Sequence, residues 1–274
     1  MAISIEDIKK LRAMTNAGLA DCKKALADAN GDMEKAGELI RERGLAIAAK
    51  RSDREASEGC VLVKVDGNFG AIIALKCETD FVAQNADFVA LTQQILDAAV
   101  ANRCKTLEEV NALTIDGQAV PALVTARSGV TGEKMELDGY LTIEGESISA
   151  YNHQNKNQLC TLVALNKAVA EEYGHNVAMQ VAAMNPVSID KDDVPEAIRE
   201  QEFKIAVEKT REEGKPEKLV EQIAQGRMNK FYAEQCLLRQ AYIMDGSLSV
   251  AKYLQQADKE CTVTAFKRFT LRAE

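Results

Sequence analysis

Three kinds of residue in this chain have side chains suited to chemistry. The two histidines, His153 and His175, have no cysteine or carboxylate beside them at metal-ligand spacing. The seven cysteines are scattered and form no CxxC pair, which argues against zinc ribbons and redox motifs. Asp and Glu number 42, but on helices of this charge density they read as solvated faces, not acid–base pairs. No Gly-x-Ser-x-Gly elbow, Walker sequence or Gly-rich dinucleotide loop occurs. The expectation is a chain with no catalytic residue, no metal site and no cofactor, and so not an enzyme. The stretch that stands apart is Cys77-Glu78-Thr79-Asp80-Phe81-Val82-Ala83-Gln84-Asn85. Thr79 and Asp80 fall where a strand gives way to a helix, a place where backbone N–H groups are free and a side chain can be thrust outward. By residue type alone, Thr79 or Asp80 would cap the helix and Phe81 would pack inward.

The elements that must position this stretch are legible on both sides. Cys60–Val65 and Phe69–Leu75 are β-rich runs around Asp66-Gly67-Asn68, which predicts a hairpin. From Asp87 onward Phe88, Leu91, Ile95 and Leu96 recur at helical spacing, predicting a helix to about Val100. A second copy of this layout follows about ninety residues later. There Ile148–His153, a polar turn at Gln154–Asn157 and Leu159–Leu165 form a hairpin, and a helix to Met184 is stopped by Asn185-Pro186. Val163-Ala164-Leu165 matches Ile73-Ala74-Leu75 in place and type, so two related α+β halves are expected. Between them Leu107–Val124 reads as partly helical and Gly129–Glu146 as further strand and turns.

Ahead of these halves, Ser4–Gly44 reads as three short helices. Ser4 and Asp7 make a near capping box, Thr15–Gly18 a break, Asn30-Gly31 a left-handed cap and Asp32 a new N-cap, with the third helix ending before Gly44. Lys50–Ser57 is charged and aperiodic, a linker or polar helix tail. Towards the other end, Asp193-Val194-Pro195 predicts a capped helix start. Two polar helices with apolar positions at Ile198 and Ile205, then Leu219 and Ile223, flank Gly214-Lys215-Pro216 and predict a helical hairpin. From Phe231 the chain reads as apolar and β-rich again, closing with Thr262–Phe269.

At 274 residues two or three folding units are expected, and 46% hydrophobic content without Trp gives an aliphatic core. No apolar run is long enough for a membrane span, and the start lacks a secretory signal. Unpaired, scattered cysteines fit reduced thiols and a cytoplasmic location. A net charge of −8 disfavours binding to phosphate backbones, so direct nucleic-acid binding is not expected. The first 54 residues carry eleven Lys/Arg against nine Asp/Glu, so the acidity lies in the rest, a distribution that suits a protein partner.

Thr79-Asp80-Phe81-Val82-Ala83-Gln84-Asn85 closely resembles the signature of the elongation factor Ts family, nucleotide exchange factors for the GTPase elongation factor Tu. The stretch from Leu11 to Leu26, with Thr15-Asn16-Ala17-Gly18-Leu19 at its centre, is similar to the family's opening signature. His175–Pro186 and Gly226–Tyr232 are similar to later blocks, in the family's order, and the likeness covers nearly the whole chain. It implies an α+β fold in four parts: a three-helix ubiquitin-associated-like domain (1–54), a core N-subdomain (55–140), a core C-subdomain (141–189 and 231–274) and a helical hairpin standing out as a coiled coil (190–230).

The activity implied is binding of GDP-bound elongation factor Tu, release of GDP and Mg²⁺, and holding of the empty GTPase until GTP arrives. Asp80 and Phe81 would be the wedge, Phe81 as an inflexible apolar face and Asp80 as a charge that disturbs the magnesium environment. Thr79, Val82, Gln84 and Asn85 would shape the turn. Arg12, Leu19 and their loop would touch the partner's GTP-binding domain, and His153, His175 and Met179 another of its domains. Core packing at helical spacing is the alternative for His175 and Met179.

Two departures from the family are visible. Gln154–Cys160 replaces a Gly-containing turn after the first His, and the chain stops at Leu271-Arg272-Ala273-Glu274 where some relatives continue into a helical module. The other functional class open to the sequence is an adaptor working through the three-helix module, which would have no need of Asp80-Phe81. The helical hairpin leaves a homodimer open.

Overall fold

The computed structural model describes residues 3–15, 17–51 and 53–271. Asn16 in the expected break, Ser52 in the expected linker, and residues 1–2 and 272–274 at the ends lie outside the described residues. The fold is α+β, and the chain divides into two compact units. One comprises the chain up to Leu62 with Ile73–Tyr140, the other Val63–Ile72 with Leu141–Thr270.

The first unit opens with α1 (Ile5–Thr15), α2 (Leu19–Asp28) and α3 (Met33–Lys50). Leu11, Cys22, Ala25, Leu26 and Ala36 form their core, with Ile8, Leu39 and Ile40 packed against it. The predicted caps are present. Ser4 and Asp7 bond reciprocally, Asn30 and Gly31 take φ of 53° and 85°, and Asp32 accepts from Lys35 N–H at 3.0 Å. The third helix, however, does not end at Gly44. It runs through to Lys50 because Gly44 serves close packing, not chain reversal. Gly44 faces Gly129, where an added Cβ would sit 2.2 Å from the Gly44 Cα.

Next come β1 (Glu58–Asp66), β2 (Phe69–Cys77), α4 (Asp80–Ala83), α5 (Ala86–Ala101), α6 (Leu107–Asn111), the short pair β3 (Thr114–Ile115) and β4 (Gln118–Ala119), α7 (Val120–Thr131) and β5 (Met135–Glu144). Gly129 lies on α7, so α3 and α7 cross backbone to backbone. The sheet order is β1-β2-β5. Its middle strand is buried on both faces from Phe69 to Leu75, which is why that run reads as continuously apolar.

The rest of the chain repeats the order of hairpin, helix and closing strand. It contains β6 (Ser147–Asn152), β7 (Leu159–Leu165), α8 (Glu171–Met184), the helical pair α9 (Glu196–Glu212) and α10 (Glu217–Gln235), β8 (Ala241–Tyr242), β9 (Asp245–Ser249), α11 (Val250–Leu254) and β10 (Val263–Thr270). The sheet order β10-β7-β6 again places the second hairpin strand in the middle, with a later strand closing its far side. Val163, Leu165, Val177, Val181, Leu237 and Leu254 supply the core.

Three expectations for the helical pair are corrected. Asp193 does not cap α9; it closes a capping box with Asp190 over a 3-10 turn, and the helix starts at Glu196 after Pro195. Helix α10 continues past Phe231 to Gln235, because the aromatic pair extends its half-buried side instead of beginning a strand. The seam is also displaced from the named positions. Ala206 and Thr210 on α9 and Val220, Ala224 and Met228 on α10 are buried, while Ile205 and Leu219 are exposed. Small side chains let the helices approach closely, and Thr210 satisfies its hydroxyl on the Ala206 carbonyl at 2.6 Å. Arg211–Glu217 (2.7 Å) and Arg227–Glu213 (2.6 Å) fasten the turn around Gly214.

Candidate functional site: an exposed Asp–Phe turn

Residues 78–85 form a single helical turn held from both ends. Four residues are far too few for a helix to persist on its own propensity, so capping and outside contacts must supply the order. The Thr79 hydroxyl accepts from Val82 N–H at 3.4 Å at the start of α4. Asn85 restarts the chain as the N-cap of α5, accepting from Asp87 N–H at 3.0 Å. Phe88, fully buried, anchors α5 in the core. Helix α4 is thereby fixed between two caps, with Asp80 and Phe81 as its first residues.

Phe81 is 83% exposed and Asp80 is exposed, so the reading of Phe81 as an inward-packed residue is overturned. A single exposed aromatic is not unusual in itself. Its support is. Glu78, with a side chain only 14% exposed, accepts from Arg54 at 2.9 Å and Arg51 at 3.3 Å, and from Lys134 N–H at 2.6 Å. Arg127, buried on α7, donates to Asn85 Oδ1 at 2.6 Å and Asp87 Oδ2 at 3.1 Å. Glu133, just beyond α7, accepts from the Thr79 hydroxyl and from the N–H groups of Glu78 and Thr79. The Cys77 thiol donates to the Thr79 carbonyl at 3.2 Å. Burial, then the neighbouring Glu133 carboxylate, pushes that thiol up to about 12, so it stays protonated and able to donate.

Burial also pushes the Glu78 carboxyl up. The Lys134 N–H and the Arg54 and Arg51 guanidinium groups outweigh it, and the group titrates below its ordinary 4.5. A carboxyl with a depressed folded value contributes stability above its unfolded value and loses it as pH falls through the folded one. Glu78→Gln is therefore expected to flatten the decline of Tm between about pH 5 and pH 3 relative to wild type. Thermal melts across that range check this, and parallel curves for the two proteins would contradict it.

In the second unit, the Tyr151 ring links both histidines. Its centroid lies 5.9 Å from that of His153 and 5.4 Å from that of His175, both edge-on. Its hydroxyl is 3.2 Å from His153 Nδ1. His175 is exposed and Met179, one helical turn along α8, is half-buried, so His175 does not pack into the core. The turn after His153 closes without glycine. Gln154, Asn155 and Asn157 take φ of 54°, 54° and 55°, a region Asn tolerates. Asn152 and Asn157 tie the turn with bonds of 2.7 and 3.2 Å. In the first unit, Arg12 is exposed on α1 and Leu19, at the start of α2, is 50% exposed.

The bracing residues Glu78, Arg51, Arg54, Arg127, Glu133 and Tyr151 were not among the predicted site residues. Glu78 directly precedes the signature, and Gly132, left-handed at φ 73°, marks the end of α7 just before Glu133. Neither signal says which residue meets which. Among the described residues no three His, Cys, Asp or Glu side chains gather as a metal site, and no helix is long and apolar enough to cross a membrane.

The family model described as "Elongation factor TS" matches residues 78–273, beginning at the residue that opens this turn. The chain is 52% identical to elongation factor Ts of Bacteroides fragilis and 52% identical to that of Phocaeicola vulgatus, each aligned over 330 positions with 100% of both chains covered. It is 50% identical over 275 positions to elongation factor Ts of Porphyromonas gingivalis, again with 100% of both covered. The family match and the full-length likeness define a translation elongation factor. The chain belongs to the elongation factor Ts family.

Proposed function

We propose that the chain performs guanine-nucleotide exchange on elongation factor Tu during translation elongation, with the Asp80–Phe81 turn as the element that displaces the parts of the GTPase holding GDP and Mg²⁺. The observation that carries this reading is the exposed Phe81 ring on a turn braced by Glu78, Arg127 and Glu133. Nucleotide affinity in a GTPase comes from a backbone-lined phosphate loop and a magnesium ion with fixed ligands. A stiff projection that shifts either one weakens the nucleotide without touching it, and no covalent step is asked of this chain. The aromatic ring supplies incompressible volume with few rotamers to lose, and Asp80 brings negative charge towards the cation's surroundings.

Thr79 and Val82 hold the shape of the turn. Arg12 and Leu19 on the first unit, and the Tyr151-linked His153 and His175 with Met179 on the second, are the further contact points. By linkage, the factor by which the exchanger lowers GDP affinity is the factor by which GDP lowers the exchanger's affinity. The complex is therefore tightest with the empty GTPase. The compartment is the cytoplasm, where translation takes place.

The test is release of a fluorescent GDP analogue from elongation factor Tu. Catalytic amounts of the chain should accelerate release, and excess GDP should dissolve the complex formed with the empty GTPase. Binding without acceleration would leave an adaptor and refute exchange.

A further inference from the structure

We propose that Glu133 is a positioning residue for exchange: its carboxylate seats the Thr79 end of α4 and so fixes the direction in which Phe81 projects. This rests on the exchange reading above and adds to it a residue that does not itself belong to the projecting turn.

The geometry is specific. Glu133 Oε2 accepts from both Glu78 N–H (3.2 Å) and Thr79 N–H (3.1 Å), and Oε1 accepts from the Thr79 hydroxyl at 2.6 Å. Successive backbone N–H groups converging on one point form an anion-binding concavity. Here the anion is a side chain from 54 residues further along the chain. The Thr79 hydroxyl has a single proton. Spent on Glu133, it leaves the oxygen's lone pairs directed at Val82 N–H, which is the capping bond that starts α4. The carboxylate therefore orients the cap, and the cap orients Phe81 two residues on.

Glu133 is itself held firmly. Ser128 Oγ donates to its carbonyl at 2.5 Å, its own N–H donates to Thr131 Oγ1 at 3.3 Å, and Gly132 N–H closes onto the Ser128 carbonyl at 2.8 Å. The whole of α7 thus stands behind the turn. Glu133→Gln keeps the size but removes the charge. Its oxygen can take the two backbone N–H groups only if its NH₂ donates to Thr79 Oγ1. That reverses the bond, turns the hydroxyl proton away and sets the NH₂ against Val82 N–H for the same oxygen, while every remaining bond loses its charge assistance.

An interaction that acts through the wedge is needed as nucleotide leaves, more than when the GDP-bound partner first docks. Its loss should lower the saturating rate and spare half-saturation. Glu133→Gln is expected to lower the saturating rate of fluorescent GDP release from elongation factor Tu roughly tenfold, since small misplacements of a positioned group carry losses of this order. The half-saturating concentration should change by less than about twofold. In a Phe81→Ala background the same substitution should cost nothing further, a coupling that general destabilisation would not produce. Thr79→Val supplies an independent second arm, because it removes only the hydroxyl and should show the same coupling to Phe81→Ala even if the Glu133 variant folds poorly. Wild-type rates in Glu133→Gln, or additive losses in both double mutants, would overturn the proposal. If Phe81→Ala alone leaves exchange intact, it is the wedge reading that fails.

Discussion

Replacing both residues at the tip, Asp80→Ala with Phe81→Ala, is expected to lower the acceleration of GDP release by about 100-fold while leaving the fold untouched. Aromatic anchors that fill a partner's pocket are commonly worth 2 kcal/mol or more, and about 1.4 kcal/mol corresponds to a tenfold rate change. Phe81 and Asp80 are exposed, so truncating them removes no core packing. Substitutions at such positions usually change stability by less than about 0.5 kcal/mol. The backbone of α4 keeps its caps at Thr79 and Asn85. Paired thermal melts and stopped-flow traces separate the two effects. A variant that melts like wild type and exchanges like wild type would remove the tip from the mechanism.

The second large effect is structural, and it is asymmetric between two glycines that touch. A Cβ at Gly129 would lie 2.2 Å from the Gly44 Cα and 2.9 Å from its carbonyl carbon, whereas a Cβ at Gly44 would meet the Gly129 Cα at 3.4 Å. The first is a collision with backbone that no rotamer can relieve. The second is ordinary contact. Gly129→Val is therefore expected to cost about 3 kcal/mol, lowering the first unfolding transition by roughly 6–12 °C. Gly44→Ala should stay within about 1 kcal/mol of wild type, because alanine also gains helix propensity over glycine. Forcing α3 away from α7 also draws Arg51 and Arg54 off Glu78, so exchange should weaken in Gly129→Val beyond the loss of stability. Calorimetry of the two variants checks this, and equal losses would contradict the backbone crossing.

These particulars show what a chain of this kind discloses before its fold is known. Local rules were enough for the capping residues Ser4, Asp32 and Thr79, because a cap is decided within three or four positions. The duplicated hairpin was also visible, since both middle strands are buried on two faces and read alike, Ile73-Ala74-Leu75 and Val163-Ala164-Leu165. Gly44 misled, because a glycine that ends a helix and one that admits a neighbouring helix look the same in sequence. The helical pair misled for a related reason. The large residues Ile205 and Leu219 are exposed, and the seam runs through Ala206, Thr210, Val220, Ala224 and Met228, three of which are too small to stand out as an apolar stripe.

The direction of Phe81 was not decidable from residue type, which favours burial. It follows from Asn85, which restarts the helix and detaches Phe81 from the apolar register of Phe88, Ile95 and Leu96. Glu133 was least accessible of all. Polar braces have no period, and nothing in the sequence joins one glutamate to a threonine 54 residues away.

The most direct measurement places a single fluorine on the Phe81 ring and follows its resonance as nucleotide-free elongation factor Tu is added. A ring 83% open to solvent in the free chain should shift and broaden as it enters the partner, and return to its starting position when excess GDP dissolves the complex. A resonance that stays at its free position while the complex forms would contradict the account, because Phe81 would then remain in water while exchange proceeds without it.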